Sequence, residues 1–339
     1  MQGMKTAGPR LPQRVSSRMA RQRQKGVALV LVLSIVAIVC ALASEMLFRQ
    51  SLMIRLASAS VSSGRAWSYM LGGEAWVTHL LTEDWRQSEA SETYIDHLGE
   101  AWAKPIKDFP IENGKMIIVV EDLQGRLDLN RALTGDDGEL TRVRNLLALF
   151  NIDQVYVERL LSRHKAKASA DKSNEGQVAA PTSSAGDTRA AILLNDTSEF
   201  LEVGMSRSDY KKIEPYVVAL PEGATGLNVN TASDTVLACL SSHSDTKTGS
   251  SQTEGHNANG YSRLSEFLGS ASKDAPIYPG GLAVNSEYFR ATFYMRWEGY
   301  SRTILSTFHR NAKGEVRVIG RELSQPQEMA VQTVSSRAL

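Results

Sequence analysis

A stretch without charge near the N-terminus constrains this chain more than any other feature. Residues 27–43 are apolar apart from Ser34. As a helix that rises about 1.5 Å per residue, the stretch spans about 25 Å, which matches the hydrocarbon core of a bilayer. Seven basic residues and no acid precede it: Lys5, Arg10, Arg14, Arg18, Arg21, Arg23 and Lys25. Because basic flanks stay on the cytoplasmic side, the sequence predicts one membrane crossing with a cytoplasmic N-terminus.

Charge is divided unevenly between this basic leader and the rest of the chain. The net charge of all 339 residues is only +1, yet the residues after Lys25 hold 31 bases and 37 acids, a net charge of −6. An acidic exported part does not suit the phosphate backbone, so we expect no nucleic-acid partner. The length allows one large domain or two modest ones with a buried core.

Two interpretations of the apolar stretch are open at this point. Residues 41–43, Ala-Leu-Ala, fit the cleavage pattern of a secretory signal, which would release an exported enzyme or binding protein at Ala43. Beyond Ala43, however, apolar residues continue at three- to four-residue spacing without proline, which predicts one helix over residues 27–86. Gly64, Gly72 and Gly73 weaken this helix by about 1 kcal/mol each relative to alanine. An anchor that packs against related helices needs the continuation, whereas a removed signal does not.

The junction between leader and helix resembles the class III signal of type IV pilins and pseudopilins. The resemblance implies that a prepilin peptidase cleaves between Gly26 and Val27, removing residues 1–26, and that the new amine of Val27 is methylated. Most members of this class carry a glutamate five residues after the cut, thought to pair with the amine of a neighbouring subunit. This chain has Leu31 there. A lone charge in hydrocarbon is costly, so leucine suits a subunit with no neighbouring amine to meet.

Four further phrases are similar to the type II secretion protein K family, the large minor pseudopilins. They are SYMLGGEAWV, EDLQGRLDLNRAL, LEVGMSRSDYKKIEPYVVALP and GLNVNTASDTVLACL. The resemblance implies a non-enzymatic subunit at the tip of the periplasmic pseudopilus, which supports protein export across the outer membrane. It also implies the minor pseudopilins I and J as partners and an anchor in the bacterial inner membrane, with the globular part in the periplasm.

The fold class that we predict is α+β. A β-branched run at residues 115–121 predicts a strand, and residues 288–297, 302–309 and 316–322 predict three more, so one antiparallel sheet joins distant segments. Between them lies a large insert with helical periodicity, an all-α domain of SAM-like fold by the resemblance. The predicted divisions are the leader (1–26), the membrane and pilin helix (27–86), the first part of an α/β domain (87–133), the insert (134–283), the C-terminal strands (284–325) and a flexible tail (326–339). Within the insert, polar tracts at 165–188 and 241–260 are predicted to be mobile loops.

Sequence motifs give little support to catalysis or to a metal. The six histidines lack zinc-site spacing, and no hydrolase, P-loop or dinucleotide motif is present, so we assign no catalytic residue. The acids Asp136, Asp137 and Glu139 are candidate calcium ligands by residue type, and the family resemblance implies calcium in the insert without assigning its ligands. These acids do not follow the D-x-D-x-D-G pattern of a calcium loop, and they also fit the N-terminus of a helix.

A DNA-binding alternative arises from the phrase LNVNTASDTVLACL, which resembles the start of a helix-hairpin-helix unit. In such units a glycine hairpin follows the helix and its backbone N–H groups meet phosphate. Here the sequence after Leu240 is SSHSD, which supplies no hairpin. We therefore interpret Asn230, Thr231 and Asp234 as caps of a packing helix in the insert.

Overall fold

The computed structural model describes residues 18–174, 193–221, 224–241, 260–270 and 277–324. The chain divides into two compact units, of which the first ends at Arg65 and the second begins at Ala66. Helix α1 (Arg18–Ser91) belongs to both and is uninterrupted. It begins earlier and ends later than the 27–86 span predicted from the sequence.

The first unit exposes the apolar side chains of α1. Across the described residues, one helix has a segment long and apolar enough to cross a membrane, and none of that segment is buried within the chain. Large aliphatic side chains are exposed on all its sides, including those of Val27, Leu31, Ile35 and Val39. Such a surface is stable only when lipid or other proteins cover it.

The second unit contains a five-stranded antiparallel sheet and two short parallel pairs. The strands are β1 (Ile106–Ile111), β2 (Gly114–Asp122), β3 (Leu127–Asp128), β4 (Val217–Val218), β5 (Leu227–Asn228), β6 (Leu282–Ala283), β7 (Tyr288–Trp297), β8 (Tyr300–Arg310) and β9 (Val316–Ser324). The order in the large sheet is β1-β2-β7-β8-β9, and β3 pairs with β4 and β5 with β6. The predicted sheet from distant segments is therefore confirmed, with β2 beside β7. Strand β1 was not predicted, because Lys107, Asp108 and Pro110 interrupt its apolar pattern.

One face of the large sheet packs against the second-unit part of α1. Alternate residues of β2 and β7 point to this face, including Met116, Ile118, Phe289 and Phe293. On α1, the buried residues recur at helical spacing: Ala66, Met70, Val77 and Leu81. Alternate residues of the strands and residues on one face of the helix α1 thus form one core.

The insert is helical and has a hydrophobic core of its own. Its helices are α2 (Leu129–Thr134), α3 (Asp137–Leu149), α4 (Val155–Asn174), α5 (Glu199–Glu202), α6 (Arg207–Ile213), α7 (Asp234–Ala238) and α8 (Leu264–Ser270). This core already includes Leu127, Leu129 and Leu133. The insert therefore begins before the predicted boundary at residue 134, since the strand and helix preceding that boundary pack into the same core.

The prediction of a mobile loop at 165–188 is wrong for its first part. Residues 165–174 continue α4, and their alanines and lysines are good helix formers. Residues 175–188 lie outside the described residues, as do 242–259 of the second predicted loop, the predicted tail 326–339 and leader residues 1–17. Ser241, at the start of the second tract, forms an isolated bridge with Ile277.

Two adjacent glycines of α1 meet different surroundings. A Cβ atom on Gly73 would lie 2.6 Å from Cε1 of Phe293 and 3.2 Å from Cε of Met116, whereas one on Gly72 would meet nothing within 4 Å. Gly73 therefore lets the helix approach the sheet closely, and Gly72 has no such role within the chain.

We expect Gly73→Ala to destabilise the second unit by about 1–3 kcal/mol, because buried Phe293 must move. The matched control Gly72→Ala should leave stability unchanged or raise it by up to about 1 kcal/mol, since alanine is the better helix former. Chemical unfolding of the detergent-solubilised chain, followed by near-UV circular dichroism, measures both. Equal effects of the two substitutions would contradict the close approach at Gly73.

Candidate functional site

The predicted processing residues lie together on α1 in the first unit. Val27 and Leu31 are 68% and 57% exposed, and a Cβ on Gly26 would meet nothing within 4 Å. The folded chain therefore has no steric need for glycine at position 26. The helix carries no charged side chain between Lys25 and Glu45. Glu45 forms an exposed ion pair with Arg49 one turn later.

A second group of residues forms a buried polar junction between the sheet and the insert. We define the polar junction as Asp96, Asp122, Gln124, Asn228, Ser286 and Arg310. All six side chains are buried, and they come from segments far apart in the sequence. Because buried polar groups must find partners, their hydrogen bonds fix how these segments meet.

Asp122, at the end of β2, is the principal acceptor of the polar junction. Its Oδ1 accepts the backbone N–H of Gln124 at 2.8 Å. Its Oδ2 accepts from Nδ2 of Asn228 at 3.0 Å, from Oγ1 of Thr231 at 2.5 Å and from Oγ of Ser286 at 2.6 Å. One carboxylate thus ties together the sheet, β5 of the insert and the segment that leads into β7.

Two amide side chains complete the connection. Nδ2 of Asn228 also donates to the backbone oxygen of Asp96, and its Oδ1 accepts the N–H of Asn230. Nε2 of Gln124 donates to the carbonyl of Gly226, while its Oε1 accepts the N–H groups of Glu287 and Tyr288. Each amide therefore uses both its donor and its acceptor atoms, so neither can be replaced without leaving a buried group unpaired.

Arg310 of β8 neutralises the acids beside this junction. Its Nη2 lies 2.6 Å from both carboxylate oxygens of Asp96, and its Nη1 lies 2.9 Å from Oδ2 of Asp84. The guanidinium is also 4.9 Å from the ring centroid of Phe289 and 5.3 Å from that of Trp85. Removing one partner of such a buried pair typically costs about 3–5 kcal/mol.

The phrase EDLQGRLDLN places further buried contacts inside the insert. Asn130 donates from Nδ2 to the carbonyls of Leu194 and Leu220 and accepts the N–H of Leu194. Asp128 accepts the N–H groups of Asn130 and Leu220. The sequence shows this phrase as a motif that resembles the family. The hydrogen-bond partners of its residues lie some 60 to 160 positions away, so local spacing does not reveal its structural role.

Burial raises the pKa of Asp122 to about 6 and that of Asp128 to about 7, although hydrogen bonds to both carboxylates oppose the shift. A carboxyl whose pKa is higher in the folded than in the unfolded chain binds protons more tightly when folded. Its contribution to stability is therefore present at low pH and is lost as pH rises from about 4 to about 6–7.

The predicted helix caps are wrong for Asn230, Thr231 and Asp234. Helix α7 is capped by Ser233, whose side chain accepts the N–H of Val236, and Asp234 lies in the first turn. Asn230 instead binds Tyr261 and the carbonyl of Val284, and Thr231 binds Asp122. Asn230 and Thr231 form hydrogen bonds with residues distant in the sequence, which local spacing does not reveal.

Among the described residues, Asp136, Asp137 and Glu139 do not form a cluster whose oxygens could share one ion. Asp136 caps α3 through the N–H of Glu139 and lies 2.8 Å from Nη2 of Arg131. Glu139 is buried against Arg142 at 2.8 Å and accepts the N–H of Asp128, while Asp137 is exposed in the first turn of α3. Arginines and N–H groups bind the carboxylates of Asp136 and Glu139, and all three acids fit the alternative prediction of a helix N-terminus.

Comparison with known proteins gives consistent relatives. The chain is 32% identical over 321 residues to the type II secretion system protein K of Pseudomonas aeruginosa, covering 90% of this chain and 94% of that protein. The protein K of Klebsiella pneumoniae is 28% identical over 290 residues, covering 80% and 88%, and that of Aeromonas hydrophila is 28% identical over 237 residues, covering 65% and 70%. No family model matches the chain.

A solved structure supports the fold. The crystal structure of the GspK-GspI-GspJ complex of the type 2 secretion system of enterotoxigenic Escherichia coli matches with a TM-score of 0.59 and 19% identity, covering 80% of this chain and 99% of that chain. At this identity the likeness establishes the fold alone. Together with the identity and coverage of the Pseudomonas relative, it leads to one conclusion: this chain belongs to the type II secretion system protein K family, the large minor pseudopilins.

Proposed function

We propose that this minor pseudopilin works as a membrane-anchored assembly subunit of the pseudopilus and catalyses no reaction itself. The observation that carries the proposal is the exposed, uncharged surface of α1 over residues 27–43, preceded by the basic leader. This arrangement suits an inner-membrane span with its N-terminus in the cytoplasm and its globular part in the periplasm. The alternative is an exported enzyme or binding protein released at Ala43. The helix that continues without a break beyond Ala43 favours the anchor.

The same proposal includes processing at Gly26. Because a Cβ atom at this position would have no neighbour within 4 Å, packing in the folded chain does not explain the glycine. A peptidase cleft that holds the scissile bond extended gives a reason for a residue without a side chain. We infer that prepilin peptidase cleaves between Gly26 and Val27 and that the Val27 amine is then methylated.

We expect Gly26→Leu to remain uncleaved in cells that contain prepilin peptidase, because a bulky side chain would not enter the cleft. Gly64→Leu is the matched control, since Gly64 is also a glycine of α1 with open space around it, and this variant should be cleaved normally. Mass spectrometry of the mature N-terminus checks both. Cleaved Gly26→Leu would contradict the processing site, and a wild-type chain that begins at Ser44 would establish the secreted alternative.

We also propose that the partners are the minor pseudopilins I and J and that this subunit occupies the tip. The solved relative is itself part of a complex with GspI and GspJ. Leu31 supports the tip position, because a subunit with no neighbour ahead of it has no amine for a carboxylate to pair with. The bulky insert, anchored to the sheet through Asp122 and Asn228, is suited to prevent another subunit from stacking above it.

If the tip assignment is correct, Leu31→Glu should reduce assembly, because its carboxylate must enter the membrane unpaired or take up a proton. Leu31→Gln is the size-matched neutral control. Co-purification with the minor pseudopilins I and J and secretion of an exoprotein provide the measurement at equal membrane levels of each variant. Increased incorporation with glutamate but not glutamine would show that a neighbour's amine is available and would contradict the tip position.

A further inference from the structure

Three carboxylates lie close together beside the polar junction, and one guanidinium pairs with two of them. They belong to Asp84 of α1 and to Asp96 and Glu100 in the segment between α1 and β1, and each offers an oxygen within 4.8 Å of the others. Across the described part of the chain, the ion pairs of Asp84 and Asp96 are both made with Arg310. Glu100 faces His97 rather than an arginine or lysine, with Oε1 3.6 Å from Nε2.

His97 does not supply the missing positive charge. Its Nδ1 accepts the N–H of Gly99, and burial lowers the pKa of the imidazole. The ring is therefore neutral near pH 7. Glu100 is held in place by neutral donors: its Oε2 accepts from Nε1 of Trp102 at 2.6 Å and from the N–H of His97 at 3.1 Å.

One positive charge among three crowded carboxylates leaves the cluster with an excess of negative charge. Crowding of like charges in a largely buried site favours the protonated form of one carboxyl. We propose that Glu100 carries this proton while the segment of residues 93–104 is docked, and that loss of the proton weakens docking, so that the cluster is a proton-dependent latch.

The docked segment has mechanical importance because it links the sheet to the insert. The N–H of Asp96 donates to the carbonyl of Val284 at 2.9 Å, and its carboxylate accepts the N–H of Ser286 at 2.7 Å. The backbone oxygen of Asp96 accepts from Asn228. Further along, the buried ring of Trp102 packs edge-on against Phe289 at 5.2 Å. Release of this segment would therefore loosen one side of the polar junction.

The direction of the pH effect follows from two states of Glu100. In the docked segment, burial together with the charges of Asp84 and Asp96 raises its pKa to about 8, whereas a released glutamate titrates near 4.3. Docking is therefore favoured at low pH and weakens as pH rises, by at most about tenfold per pH unit, until about pH 8. Burial and the charge of Asp96 raise the pKa of Asp84 to about 6, so Asp84 adds to the pH dependence in the lower part of this range. The other groups that face the cluster are His97, Arg310 of β8 and Asp122 of β2.

Hydrogen exchange of the full chain in detergent micelles tests the latch. Protection factors for residues 93–104, corrected for intrinsic exchange, should fall in the wild-type chain by up to about tenfold per unit between about pH 6 and about pH 8. In Glu100→Gln they should stay level over that range. Glu112→Gln, which changes an exposed glutamate in the turn between β1 and β2, is the matched control and should behave like the wild type.

Two further measurements keep the proposal falsifiable if Glu100→Gln folds poorly. Infrared spectra of the wild-type chain near pH 8, above the pKa of about 7 of buried Asp128, should contain the carbonyl stretch of a protonated carboxyl. Asp84→Asn should move the titration of that band to lower pH because one neighbouring charge is gone. Absence of that band, or full pH dependence in a folded Glu100→Gln, would overturn the latch. Calcium that restores protection near pH 8 in the wild type but not in Glu100→Gln would also overturn it, because the cluster would then be a cation site.

Discussion

The carboxylate of Asp122 is the constraint on which the second unit depends. The sheet and the insert have separate main hydrophobic cores, and the apolar cluster between them, which includes Leu123, Val218 and Tyr288, is small, so apolar packing leaves their relative orientation weakly specified. Four directed hydrogen bonds to one buried carboxylate, together with the amides of Gln124 and Asn228, supply that orientation. The net stabilisation from each bond is only about 1 kcal/mol, but leaving any partner unpaired costs about 1–3 kcal/mol. The orientation of the sheet and the insert is therefore specific because any other orientation leaves buried polar groups unpaired.

Arg310 has a comparable role on the other side of the same region. Its pairs with Asp84 and Asp96 connect β8 to the end of α1 and to the segment that follows it. Since a lysine has no planar fork, it could not contact both acids and the carbonyl of Ser286 at once. The helix α1 and the sheet share an apolar core, and these charged groups add directed contacts between α1, the sheet and the segment that follows α1.

The sequence predicted those features that depend on local pattern. The apolar stretch at 27–43 and the alternation in residues 288–297 indicated a helix and a strand, because each buries or exposes residues with a fixed period. Strand β1 escaped prediction because Pro110 and two charged residues hide its period. The caps assigned to Asn230 and Thr231 failed for a different reason: Tyr261 and Asp122 compete for those side chains from distant positions. The polar junction could not be predicted at all without the fold, since none of its bonds between elements is local.

The pairing of β2 with β7 has a consequence for how the chain matures. Met116 aligns with Met295, so the central ladder joins residues separated by the entire insert. A chain that crosses a membrane from its N-terminus presents β1 and β2 long before their partner strand arrives. Closing so long a loop is slow. The core of the insert contains no residue of the large sheet, so the insert is able to form first and bring β2 and β7 together. Until β7 arrives, the edge of β2 that pairs with it lacks its partner, and an unpaired strand edge is a site at which chains aggregate.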